Sequence, residues 1–173
     1  MVNMQLSNRK LIDRGPGLSK EQLSVLAEWL LAPDIYEFIQ KGGSVSAFPK
    51  RYLPELLALQ SSVRIVQAGL EIAGQKGKDW IPSHALAVSH ALAPDAFPRE
   101  EISYEQVVAY LRKEAVTLSD AAPRGVVLLT YKNMPLGFVK NIGNRANNLY
   151  PQEWRIRSGH LPEKPKIVIS YEL

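Results

Sequence analysis

The sequence predicts an α+β protein: a helix-rich N-terminal domain with a β hairpin, followed by a small β barrel or sheet. Three observations predict it. Two Ser-x-x-Gln capping boxes, at Ser19 and Ser103, each open a run of apolar residues at helical spacing. From Val126 the period changes, and short β-branched and aromatic runs replace the helical stripes. Prolines and glycines punctuate the chain between these segments. The expected domains are residues 1–116 and 117–173, the second small enough to need the support of the first.

Residues 1–17 end in Arg14-Gly15-Pro16-Gly17 and read as an irregular leading arm. Ser19 opens a helix whose apolar face carries Leu23, Leu26 and Leu30, widened by Ala27 and Leu31 and ended by Pro33. Asp34 to Gln40 is a short apolar stretch compatible with helix or strand, stopped by Gly42 and Gly43. Pro54 suits the first turn of a helix holding Leu53, Leu56, Leu57 and Leu59. The β-branched content of Val63 to Ala68 predicts a strand, and Gln75 to Lys78 a turn that returns through Trp80 and Ile81. Ser83 to Leu92 reads as a helix broken by Pro94 and Pro98, and Ser103 to Val116 as the second clear helix, with Val107, Val108, Leu111 and Ala115 on its stripe. After a linker at Thr117 to Arg124, strands are expected at Val126 to Tyr131, Leu136 to Val139, Trp154 to Arg157 and Ile167 to Tyr171, with a turn from Lys132 to Pro135.

The chain has no cysteine, which excludes disulfides, thiolate metal sites and a cysteine nucleophile within it. No apolar run approaches the roughly 18 residues of a membrane span, and the N-terminus has no apolar core after its charges. A cytoplasmic protein with no membrane partner is the expectation. The net charge of +4 is unevenly placed: Met1 to Glu114 holds 13 basic and 13 acidic residues, Ala115 to Leu173 holds 8 and 4. A polyanion-binding surface in the last third, or merely a solvated basic face, would explain this.

Catalytic chemistry is not visible. Ser83 with His84 and Ser89 with His90 are sequence neighbours, which do not face each other on a helix, and neither serine has the glycines of a nucleophile elbow. His84 and His90 are six apart, not the i, i+4 pair that shares a metal, so no metal site is expected. Gly69, Gly74 and Gly77 form neither dinucleotide nor phosphate-loop spacing. Glu100 and Glu101 precede a helix, where acids complement its dipole.

One constellation remains, in Leu136 to Arg157. Lys140, Arg145, Arg155 and Arg157 could hold phosphates, Tyr150 and Trp154 could stack on bases, and Asn141, Asn144, Asn147 and Asn148 could read base edges. The alternative is that the two rings are buried anchors and the asparagines form turns.

The same residues carry a resemblance. Gly137, Phe138 and Lys140 at a strand end, then Asn148-Leu149-Tyr150-Pro151 and Trp154-Arg155, resemble the PUA-like RNA-binding region of Sun-related bacterial ribosomal RNA 5-methylcytosine methyltransferases of the methyltransferase F type. Val63 to Ala87 resembles the accessory region before it, so the likeness covers about Leu53 to Leu173. It implies a PUA-like fold for the second domain and a non-catalytic chain that docks ribosomal RNA. The implied contacts are Lys140, Asn141, Arg145, Asn147, Asn148, Tyr150, Trp154, Arg155 and Arg157. Such enzymes bind S-adenosylmethionine in a doubly wound domain and attack cytosine with a cysteine. This chain offers no positions for those parts, and is expected to be a fragment that works with a catalytic domain in cis or in trans. S-adenosylmethionine then belongs to that other domain, and no cofactor is expected here. The competing expectation is a protein-docking module that contacts the catalytic domain or a ribosomal protein.

Overall fold

The computed structural model describes residues 17–77 and 79–160. The chain divides into two compact units between Ala96 and Phe97, upstream of the boundary expected at 116/117. Each unit holds one four-stranded sheet. The α+β class stands, but the first unit has more strand than the single expected hairpin.

In the first unit, α1 (Lys20–Glu28) starts at the predicted capping box. The Ser19 hydroxyl accepts from Gln22 N at 3.2 Å and the Gln22 side chain accepts from Ser19 N at 2.9 Å. Leu26 is fully buried, and the helix stops before Pro33, which instead begins a short 3-10 turn, Pro33–Ile35. The undecided stretch 34–40 resolves as strand: β1 (Tyr36–Lys41) pairs antiparallel with β2 (Ser44–Pro49) through Gly42 and Gly43. Both glycines have positive φ, the requirement of a two-residue hairpin turn. Helix α2 (Leu53–Gln60) follows, with Pro54 in its first turn.

The strand expected at 63–68 does not form; β3 is Leu70–Lys76 and pairs with β4 (Asp79–Pro82). The reason lies at Gly69. Its φ is +79°, and a Cβ placed there would lie 2.4 Å from the carbonyl oxygen of Ala47 on β2. The chain kinks tightly against β2 at this glycine, so pairing begins only after it, and Val63 and Val66 stay exposed. Past β4, Ser83 caps α3 (His84–Ala87) and its hydroxyl donates to Glu71 O, so the serine is a helix-to-sheet tie. The longer helix expected here ends after one turn, where the Ser89 hydroxyl bonds Leu86 O at 2.9 Å.

The second unit runs β5 (Arg99–Glu101), α4 (Tyr104–Leu111), β6 (Gly125–Tyr131), β7 (Met134–Asn141) and β8 (Ala146–Asn148). Strand order is β5-β6-β7-β8, with β5 parallel to β6 and the other pairs antiparallel. A parallel neighbour needs a crossover, and α4 supplies it. Ile102, Val107, Tyr110 and Val116 pack on Val127, Leu129 and Val139 to make the core. Of the expected strands, 126–131 and 136–139 form. Trp154–Arg157 does not: its start lies in a 3-10 turn, Gln152–Trp154, and the third antiparallel strand is β8. Ile167–Tyr171 lies outside the described residues.

The β6–β7 turn is two residues, Lys132 (φ 51°) and Asn133 (φ 63°), shorter than the expected 132–135. Neither is glycine. Glu101 on edge strand β5 offsets this: its carboxylate accepts from the Thr130 hydroxyl at 2.6 Å and from the backbone N–H groups of Lys132 and Asn133. These hydrogen bonds, Thr130 foremost, hold its carboxyl below the usual range. Glu100 accepts from Ser119 N at 2.8 Å. The two acids are turn and loop caps within the sheet unit.

Candidate nucleic-acid interface

Helix α4 opens at the second predicted capping box and ends in a Schellman motif: Lys113 N bonds Tyr110 O and Glu114 N bonds Ala109 O, both at 2.9 Å. The left-handed position of that motif, normally glycine, is Lys113 at φ 67°. Its ammonium donates to Asn148 O at 2.7 Å and to Tyr150 O. Asn148 replies with its own side chain, donating to Tyr110 O (2.9 Å) and Glu114 O (3.0 Å) and accepting from Tyr150 N (2.9 Å). Tyr150 is 9% exposed, edge-on to Tyr110 at 5.3 Å between ring centroids. Burial raises the Tyr110 phenol far above its usual range, and its hydroxyl donates to Phe138 O.

This arrangement sorts the nine candidate residues. Asn148 and Tyr150 belong to the framework, against the expectation that they meet a ligand. So does Asn141, which is 9% exposed: its amide donates to Ala122 O and Pro123 O and accepts from Gly143 N. Asparagine and tyrosine here satisfy backbone groups that a turn and a helix end leave open.

The six others divide into two groups. Lys140 pairs across β6 with Val126 and across β8 with Asn147, so Lys140 and Asn147 share the sheet face opposite α4, and Arg145 enters β8 beside them. Trp154, Arg155 and Arg157 lie on the segment after Tyr150, which runs back along the end of α4: Ile156 N bonds Leu111 O at 2.9 Å and Arg112 Nη2 bonds Ser158 O at 3.0 Å. The groups therefore flank edge strand β8 from two sides and do not form one patch. Trp154 is 59% exposed, and Arg145, Arg155 and Arg157 are exposed. Among the described residues these three arginines form no salt bridge.

Residues 97–156 match the family model described as the methyltransferase RsmF PUA domain. The second unit carries an RsmF-type PUA region. The match begins at the first residue of that unit. Among curated proteins, the chain is 31% identical over 104 residues to ribosomal RNA small subunit methyltransferase F of Shigella flexneri serotype 5b, covering 60% of this chain and 21% of that protein. The protein of that name from Citrobacter koseri is 31% identical over 124 residues, 70% of this chain and 24% of the relative. That of Cronobacter sakazakii is 27% identical over 140 residues, 80% and 27%. The chain thus spans about a quarter of the length of the relatives it matches.

Reading the sequence missed two cations of the PUA unit. Arg124, exposed, lays its guanidinium over Gly143 in the β7–β8 turn, where a Cβ would meet Arg124 Nη2 at 2.8 Å. It joins Lys140 and Arg145 at that end of the sheet because Gly125 pairs with Asn141. Lys113 is the other. Both lie outside the basic run, and only the fold brings them to it. In the first unit His84 is partly buried, which lowers its basicity, and Ser83 beside it is occupied by Glu71 O and Leu86 N. Among the described residues no three His, Asp or Glu converge on a metal position, and no helix is long and apolar enough to cross a membrane. Neither described sheet is a parallel, doubly wound one.

Proposed function

We propose that this chain is a non-catalytic RNA-binding region that docks ribosomal RNA for an S-adenosylmethionine-dependent cytosine-5 methyltransferase domain, acting in cis or in trans in the cytoplasm. The observation that carries the reading is the RsmF-type PUA match over the unit in which Arg145, Arg155 and Arg157 form no salt bridge among the described residues. The names of the relatives, all ribosomal RNA methyltransferases, support the substrate class. Unpaired guanidinia suit phosphates, and an exposed indole suits an unstacked base. The contact set is Lys140, Arg145, Asn147, Trp154, Arg155 and Arg157, with Arg124 added.

Binding to small-subunit ribosomal RNA fragments, titrated at two salt concentrations, tests this. Four neutralised phosphates give a slope of log K against log salt of about −3, at ~0.7 per phosphate of a single strand. Arg145→Glu with Arg155→Glu weakens binding several-fold and leaves the thermal midpoint in place. Unchanged affinity in that variant sinks the surface assignment. Docking on protein is the rival, and an affinity for the catalytic domain that ignores salt would select it.

A further inference from the structure

The nine residues singled out by composition leave unexplained why a lysine occupies the left-handed end of α4. That backbone conformation costs a residue with a Cβ about 1 kcal/mol, and glycine would hold it freely. Lys113 also sits at a helix C-terminus, where a cation is favoured, yet its ammonium reaches across to Asn148 O and Tyr150 O. Those two carbonyls begin the segment bearing Trp154, Arg155 and Arg157. Downstream, the Tyr150 hydroxyl donates to Trp154 O at 3.4 Å, Ile156 N bonds Leu111 O and Arg112 holds Ser158 O. The Tyr150 hydroxyl apart, these ties use backbone groups of the segment and leave the Arg155 and Arg157 guanidinia out of the bonding. Ile156 is half-buried while Arg155 and Arg157 on either side are exposed. Arg155 is extended (φ −56°, ψ 138°) where the chain leaves the Gln152–Trp154 turn.

The geometry points to Lys113 as a positioning residue: it fixes the 150–158 segment on the end of α4 so that Arg155 and Arg157 meet neighbouring phosphates of one ribose-phosphate strand beside Trp154. The inference rests on the RNA-binding reading above. Lys113 itself touches no RNA. Its ammonium is turned to the protein's own carbonyls, and its effect passes through the segment it holds.

The test is Lys113→Gly in the full chain, which suits the Schellman backbone and removes the side chain that carries the ammonium. Lys113→Asn, also tolerant of positive φ, serves as the second variant should the first fold poorly. The probe is a labelled single-stranded oligoribonucleotide of about 12 nucleotides. Lys113→Gly is expected to speed hydrogen exchange at the Ile156 amide and lower affinity about 5- to 10-fold. It should also flatten the salt slope by ~1.4, the share of two phosphates. Arg155→Ala with Arg157→Ala gives the same slope change, and adding Lys113→Gly to that pair adds nothing. A wild-type slope in Lys113→Gly, with a flattened slope in the arginine pair, overturns the positioning role and leaves RNA binding intact. If the arginine pair and Arg145→Ala all keep the wild-type slope, the RNA-binding reading itself fails.

Discussion

Asn148→Ala is the sharpest way to separate framework from contact surface. The substitution removes three hydrogen bonds of 2.9, 3.0 and 2.9 Å, to Tyr110 O, Glu114 O and from Tyr150 N. Their losses are unequal. Tyr110 O keeps a partner in Lys113 N, and Glu114 is exposed, so its carbonyl turns to water. Tyr150 N is left on a buried residue and carries the largest single cost. At a net of about 1 kcal/mol per bond the sum is about 2–3 kcal/mol, a sizeable fraction of a domain's ~5–15 kcal/mol. For a unit of this size that lowers the melting temperature by roughly 10–20 °C. Urea unfolding followed by far-UV circular dichroism measures it, with hydrogen exchange at the Tyr150 amide as the local readout. A variant with an unchanged midpoint and lost RNA affinity would refute the reasoning, because the amide would then face the ligand.

Gly69→Ala places a methyl carbon 2.4 Å from the Ala47 carbonyl at a φ of +79° and should cost about 3 kcal/mol, from left-handed strain plus displacement of β2. Gly42→Ala, also at positive φ but with nothing within 4 Å, should cost only about 1 kcal/mol, so the difference in unfolding midpoints isolates the contact. Glu101 has a folded pKa below its ordinary value of 4.5 because its carboxylate accepts from Thr130 and the β6–β7 turn. The stability this supplies is whole above pH 4.5 and disappears as pH falls through the lowered folded value. Wild type and Glu101→Gln should therefore converge in stability toward acid pH, and a constant difference across that range counts against the cap.

Much of the fold was legible because it is local. Each capping box is four residues long and needs no distant partner, so Ser19 and Ser103 marked their helices within a residue. The β6 and β7 strands announced themselves by β-branched content. What escaped depends on remote pairing. Arg-Glu-Glu at 99–101 and Ala-Asn-Asn at 146–148 have no strand composition, and become strands only because β6 and β7 offer edges. Val63 to Ala68 has strand composition and no partner, since Gly69 sets where pairing begins. The site divided in the same way. Charge could be read from the run 136–157, but the inward roles of Asn141, Asn148 and Tyr150 are set by carbonyls on α4 and the 122–123 loop, far away in sequence. Arg124 and Lys113 were missed for the same reason.

The crossover that carries the chain from β5 over α4 to β6 orders the assembly of this unit in time. Strands β6 and β7 are joined by two residues and can zip within microseconds, whereas Arg99 must find Leu128 across a closed loop that contains the whole helix. The hairpin is thus the early template and β5 the late arrival. Glu101 then closes over a turn that already exists, acting as a latch on the finished sheet.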